Sequence, residues 1–338
     1  MKKTNFCANL HAVGDLRYEE CEYPTAKEDE VIVKIRACGV CGSDLGRVYK
    51  SGTYHFPTVI GHEFSGIVVE DAKGEFSGKR VAVFPLLPCF TCESCQNQDY
   101  ATCHHYDYYG SRRDGGMSLF LAVKRFNLLP MPDGISYEEG AMCEPASVAR
   151  HAVLKLCMQK GERLLISGAG PIGIIAGQWA HSMGAEHVSY LDIDEEKLSF
   201  AEKMGFGIYR AGDVFDCVLE GTGVPTALET LLAALKPFGR AVLMGNPAGD
   251  MTLTQTGYWH ILRKELTLLG TWNSSFSEKQ NDWQASLAAM ATGTISVSPL
   301  ISHRYPLSAV NEALAMMKEK KTLYHKVMLC MTEEAENE

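Results

Sequence analysis

The sequence predicts a two-domain α/β protein, a partly open β-barrel joined to a doubly wound parallel sheet. Three observations lead there. The first third is built of short β-branched runs cut by glycine and proline. The texture changes near residue 145, and strand and helix patterns alternate beyond it. At 338 residues the chain exceeds what one hydrophobic core usually serves.

In the first part, residues 31–37 and 66–70 are rich in valine and isoleucine and read as strands. Gly39, Gly42, Gly52, Pro57, Gly61, Gly74, Gly78, Pro85 and Pro88 punctuate them closely. A helix opens at Glu144-Pro145, where proline's missing N–H costs little. Strands follow at 163–167, 187–192, 215–220, 240–244 and 266–270, with helices at 171–182, 195–204 and 225–235. The last stretch carries helical pieces at 282–291 and 309–318 and an apolar strand at 326–330. It is expected to fold back onto the first domain. Residues 333–338 read as a frayed acidic end.

Hydrophobic residues make up 46% and charged residues 22%, ordinary for a soluble protein. A net charge of −9 without a basic stripe argues against nucleic-acid binding. Lys2 and Lys3 are followed by polar residues rather than an apolar core, and no apolar run reaches membrane-spanning length. A cytoplasmic protein with no membrane partner is expected. In a reducing compartment its twelve cysteines favour thiols and metal ligands over disulfides.

Cys89, Cys92, Cys95 and Cys103 give the spacing C-x2-C-x2-C-x7-C. Two-residue spacers let neighbouring thiolates turn toward one tetrahedral ion, and four thiolates leave no open position. A structural zinc is expected in preference to paired disulfides or an iron–sulfur cluster. His104 and His105, just beyond, read as surface residues.

Cys41 follows a strand, His62-Glu63 precedes another, and Glu144 stands at the change of texture. Thiol, imidazole and carboxylate together make a mixed zinc set of the kind that leaves a position for substrate. A zinc ion there lowers the pKa of an alcohol oxygen while a hydride leaves the adjacent carbon. Ser43, two residues from Cys41, is placed to pass the proton outward. Taken singly, each residue has a plainer role. His62 can be a core histidine, Glu63 a partner behind the ligands and Glu144 a helix cap. Cys38 with Cys41 can form a redox pair, although Cys38 reads better as a core thiol.

The strand at 163–167 runs into Gly168-Ala169-Gly170-Pro171-Ile172-Gly173. Gly168 suits a tight turn, Gly170 lets the backbone approach a pyrophosphate, and Gly173 allows close helix–strand packing. Pro171 and Ile172 open the helix whose free N–H groups face the phosphates. Asp192, nineteen residues past Gly173, is offset correctly for a ribose 2′-hydroxyl, which favours NAD over NADP. Asp194 suits the cap of the next helix, and Lys197 is a further candidate for the ribose.

In this order, the cysteine loop, Gly-His-Glu, four-cysteine lobe, Glu-Pro and glycine-rich turn resemble the zinc-containing medium-chain dehydrogenase/reductases along essentially the whole chain. That resemblance implies a GroES-like zinc catalytic domain from residues 1–147 and 275–338, and a Rossmann NAD-binding domain from 148–274. It implies two zinc ions per chain, with Cys41, His62 and Glu144 as ligands of the catalytic one and Glu63 beside them. It also implies a homodimer or homotetramer.

Residues 86–92, 110–116 and 261–266 resemble those members that oxidise a sugar-alcohol phosphate of the galactitol 1-phosphate type. Sorbitol, xylitol, threonine and butanediol dehydrogenases share much of the same framework. A phosphorylated substrate calls for positive charge, for which Arg47, Arg112 and Arg113 are the loop candidates. Two departures stand out. The linker between 204 and 215 is short enough to have lost a helix, and Arg47 occupies a position where relatives of the alcohol dehydrogenase type carry a relay histidine. A nucleotide-binding module that had lost its chemistry should lack ligands or the relay serine. All are present.

Overall fold

The computed structural model describes residues 4–331. Lys2, Lys3 and the acidic end at 333–338 lie outside the described residues. The chain divides into two compact units. One comprises Met1–Glu144, Ser275–Gly293 and Val297–Glu338, and the other Pro145–Ser274 with Thr294–Ser296. No helix among the described residues is long and apolar enough to cross a membrane.

The first unit centres on the strand Glu30–Val40, whose Val31, Val33 and Ile35 are fully buried. It pairs antiparallel with Glu63–Glu70, with Phe120–Lys124 and with Lys326–Cys330. The last of these returns from the chain's far end and also pairs in parallel with Ile301–Pro306. Val327 and Leu329 join Phe64, Val81 and Val83 in one core. That core needs the returning strand: without it, one edge of Glu30–Val40 and the apolar face beneath would be open to water.

A hairpin of Asn5–Ala12 with Asp15–Cys21 lies outside the elements read from the sequence, and Thr58–Val59 adds a third strand to it. Its strands carry polar residues among apolar ones, which masks their period. Across this hairpin Cys7 and Cys21 are joined by a disulfide, their Cα atoms 6.3 Å apart. This departs from the expectation of thiols throughout: neighbouring strands bring the two within bridging reach. Cys38 is a buried free thiol.

In the second unit six parallel strands run in the spatial order Gly207–Ile208, His187–Leu191, Arg163–Ser167, Phe215–Glu220, Leu235–Leu243 and Thr267–Gly270. Numbered along the chain this is 3-2-1-4-5-6, the Rossmann order, which reverses beside Arg163–Ser167. Ligands bind such sheets at the carboxyl ends of the strands flanking that reversal. Only the two-residue strand Gly207–Ile208 lies between the helix Glu195–Lys203 and Phe215, so the short linker holds no helix. The fifth strand starts at Leu235 rather than 240, because Lys236, Pro237 and Gly239 break the apolar run that marks it in sequence.

Candidate functional site

The four cysteines of the lobe come together around a short helix, Glu93–Gln96, and a 3-10 turn, Tyr100–Thr102. Cys89 and Cys95 sulfurs are 3.9 Å apart, and those of Cys92 and Cys103 are 3.8 Å apart. A tetrahedron with zinc–sulfur bonds of about 2.3 Å has edges of about 3.8 Å, so the lobe fits zinc. The Thr91 hydroxyl, 3.5 Å from the Cys89 sulfur, holds that thiol down to about 5. Burial and the neighbouring thiols push Cys95 up to about 12. Thiols this crowded resist ionising together, a conflict that a divalent cation resolves. Phe90, Tyr100 and Phe126 pack edge to face and seat the lobe on the barrel. His104 and His105 are exposed.

A second set gathers Cys41, His62 and Glu63, whose ligand atoms all lie within 4.8 Å of one another. Their strands explain the meeting: Gly39 pairs with Glu63, which brings the end of one strand beside the start of the next. Sulfur, nitrogen and oxygen donors in a three-membered set fit a zinc ion with an open position. Glu144 is buried in the same region but does not join the three within that distance. Burial pushes its carboxyl up to about 7, with His62 pulling it down and Glu63 adding to the rise.

Two supporting residues escaped the sequence reading. Asp44 is fully buried, and its Oδ1 lies 3.4 Å from His62 Nδ1 while its Oδ2 accepts the Cys41 N–H at 2.9 Å. Burial works against the Asp44 carboxylate, yet His62 and Arg47 hold its pKa below the usual range. A carboxylate behind a ligating histidine fixes ring orientation and raises ligand basicity. Lys326 donates to both Glu63 oxygens at 2.7 and 2.6 Å in a buried pair. Asp44 could have been suspected from its place three residues after Cys41. Lys326 carries no such signal, being 263 residues from its partner.

Ser43 is exposed, and its oxygen accepts a bond from Arg47 Nη1 at 2.9 Å. Arg47 also meets Asp44 at 3.2 Å, so it is occupied where it stands. Arg113 pairs with Asp107 at 3.4 Å and lies over the Tyr109 ring. Arg112 sits between the Tyr54 and Tyr106 rings, at 4.0 and 4.5 Å.

In the second unit the glycine-rich turn has the geometry its residues require. Gly168 has φ 94°, and a Cβ on Gly173 would meet the Gly168 carbonyl oxygen at 2.0 Å. Gly170 has open space around the same position, and Pro171 opens the helix Pro171–Ser182 followed by Ile172. Asp192 Oδ2 accepts the Ala169 N–H at 2.7 Å, tying the turn to the next strand end. Asp194 caps the following helix, and Lys197 lies 3.7 Å from it.

Glu220, unremarked in the sequence, is buried at the end of its strand. It accepts bonds from Thr222 N and Gly223 N at 2.7 and 2.9 Å and from the Ser167 hydroxyl at 3.2 Å. It thereby shapes the loop facing Gly168. An acidic residue closing a strand before Gly-Thr-Gly was the available clue.

An open metal set on a barrel and a phosphate-binding turn on a Rossmann sheet together define a zinc- and nicotinamide-dependent oxidoreductase. Residues 27–133 match the alcohol dehydrogenase GroES-like domain and residues 171–292 the zinc-binding dehydrogenase domain. The chain is 36% identical over 323 residues to galactitol 1-phosphate 5-dehydrogenase of Escherichia coli K12, covering 89% of this chain and 93% of that protein. It is 30% identical to sorbitol dehydrogenase of Bombyx mori, covering 93% and 95%.

The crystal structure of galactitol-1-phosphate dehydrogenase from Escherichia coli superposes with a TM-score of 0.87 at 34% identity, covering 98% of this chain and all of that one. An alcohol dehydrogenase of Escherichia coli CFT073 complexed with NADH gives 0.88 at 25% identity, covering 97% and 100%. A zinc-binding dehydrogenase of Sinorhizobium meliloti 1021 bound to NADP gives 0.89 at 26%, covering 97% and 99%. The chain belongs to the zinc-containing medium-chain dehydrogenase/reductase family.

Replacing Asp44 by Asn keeps the shape but removes the charge behind His62. A loss of about 10- to 100-fold in zinc affinity is expected, read by competition with a chelator. Unchanged affinity would show that Asp44 does not support the ligand.

Proposed function

We propose that the chain oxidises a secondary alcohol of a sugar-alcohol phosphate, of the galactitol 1-phosphate type, with NAD as hydride acceptor. The observation that carries it is the Cys41–His62–Glu63 donor set, with Cys41 half-buried and His62 and Glu63 buried, and with exposed Ser43 beside it. These residues, with Glu144 as a further donor, would hold a zinc ion whose Lewis acidity would lower the pKa of a substrate hydroxyl.

The protein's own groups do the rest. Asp44 orients His62, and Lys326 balances the charge of Glu63. Ser43 receives the hydroxyl proton and releases its own to solvent. Arg47 steadies the serine oxygen but cannot carry the proton, because a guanidinium does not titrate in the working range. A bound nicotinamide would accept the carbinol hydrogen with its two electrons, so that the balance would be a ketone, NADH and one proton.

Asp192 favours NAD, since a carboxylate accepts from a ribose 2′-hydroxyl and repels a 2′-phosphate. The phosphorylated substrate is supported by the 36% identity to the galactitol 1-phosphate enzyme and by the loop arginine Arg112 in the first unit, whereas Arg47 opens the helical turn Arg47–Ser51 and, like Arg113, already holds a carboxylate. A panel of galactitol 1-phosphate, galactitol, sorbitol and threonine, each with NAD and NADP, is expected to favour the first substrate with NAD. Equal efficiency on the unphosphorylated polyols would reject the phosphate.

The lobe is proposed to hold a second, structural zinc. Metal analysis of the purified chain should return two zinc ions per chain, and one or none would count against the assignment.

A homodimer is proposed through the sheet edge Thr267–Gly270. This uncharged strand ends beside exposed Trp272, and the preceding helix exposes Tyr258, Trp259 and Leu262. Such an edge needs a cover, and a second copy supplies one by strand pairing about a two-fold axis. Leu269→Lys is expected to convert dimer to monomer in sedimentation, whereas an intact dimer would place the interface elsewhere.

A further inference from the structure

The three candidate arginines differ in what they already hold. Arg47 is committed to Asp44 and Ser43, and Arg113 to Asp107. Arg112 forms no ion pair among the described residues, and its Nε is buried without a hydrogen-bond partner. An unpaired guanidinium, partly withdrawn from water in a chain of net charge −9, is unfavourable until an anion meets it.

The Tyr54 and Tyr106 rings lie against the guanidinium at 4.0 and 4.5 Å. Ring contacts of this kind stabilise the cation and limit its rotation, so less freedom is lost when an oxyanion binds. A guanidinium fork fits two oxygens of one phosphate, a match that neither a hydroxyl nor an ammonium reproduces.

The loop carrying Arg112 is also fixed relative to the candidate metal set. Gly116 N–H donates to the carbonyl of Gly61, the residue before His62, at 2.8 Å, and Gly115 N–H donates to Val59 at 2.8 Å. A Cβ at Gly115 would sit 2.1 Å from the Gly61 oxygen, so the loop is seated directly on the segment that presents His62. The Arg112 N–H is anchored to the Tyr108 carbonyl at 3.0 Å. A line of rings completes the connection, with His62 to Tyr108 at 5.8 Å and Tyr108 to Tyr106 at 6.2 Å.

We propose that Arg112, held between Tyr54 and Tyr106, is the residue that binds the phosphate of the substrate and makes the site prefer a phosphorylated polyol. This rests on the sugar-alcohol phosphate reading above and names the group that carries it. Arg47 then serves the proton path and Arg113 the loop, so the phosphate has one principal cation. The polyol chain runs from Arg112 toward Cys41, His62 and Glu63, which orients the molecule and selects the hydroxyl to be oxidised.

The test compares kcat/KM for galactitol 1-phosphate and for galactitol in the wild type, Arg112→Gln and Arg112→Lys. Zinc content and NADH binding of each preparation verify that it is folded. In Arg112→Gln the preference for the phosphorylated substrate should fall by roughly 10- to 100-fold, and Arg112→Lys should fall between the two. Inorganic phosphate should inhibit wild-type turnover of the free polyol competitively, and Arg112→Gln should relieve that inhibition. A variant that loses activity equally on both substrates, keeping the wild-type ratio, would overturn the assignment and leave Arg112 a loop residue. A wild type without preference would instead overturn the phosphate reading itself, which distinguishes the two failures.

Discussion

Three buried carboxylates of the first unit, those of Asp44, Glu63 and Glu144, gather at the candidate metal set, and cationic groups are brought to Asp44 and Glu63. Charge withdrawn from water is costly unless paired, and removing one partner of a buried pair costs about 3–5 kcal/mol. Asp44 is met by His62 and Arg47, and Glu63 by the ammonium of Lys326. That ammonium arrives on the returning strand Lys326–Cys330, so the strand that closes the apolar core also delivers the charge balance of the metal set. Burial alone would depress Lys326, yet Glu63 and Cys41 raise its pKa, which keeps the cation in place.

The two cysteine-containing sets illustrate how ligand number separates structure from chemistry. Four sulfurs within 4.8 Å of one another would saturate a tetrahedral ion and leave it no open position. Three mixed donors leave an opening, and around that opening the protein places a carboxylate, an ammonium and an exposed serine. Packing differs accordingly. Aromatic edges lock the lobe, whereas hydrogen bonds and ion pairs tune the open set.

The second unit was the more legible of the two, because parallel strands buried on both faces and the turns between them are local signals. Arg163–Ser167, Pro171–Ser182 and Phe215–Glu220 fall where periodicity and turn residues put them. The hairpin at Asn5–Cys21 was missed because its alternation is broken by polar residues on both faces. Lys197, close in sequence to the candidate ribose acid, lies 3.7 Å from Asp194 at the cap of its own helix. The conspicuous stretch 261–266 has a structural use, since Lys264 donates to the carbonyls of Leu232, Ala233 and Leu235 at the end of the helix Pro225–Ala234.

What the sequence alone determined was everything carried by short spacing. The four-cysteine lobe, the glycine-rich turn with its acid and the strand–helix alternation all follow from short spacings, fixed offsets or patterns of fixed period, whereas of Cys41, His62, Glu144 and Glu63 it is the fold that brings Cys41, His62 and Glu63 together. What only the tertiary structure decided were the partnerships across the chain. Lys326 meets Glu63, Asp44 stands behind His62, Glu220 shapes the turn opposite Gly168, and Arg112 is left unpaired between two tyrosines. Charge pairing and ring stacking depend on distance in space, which sheet topology sets and spacing in sequence does not.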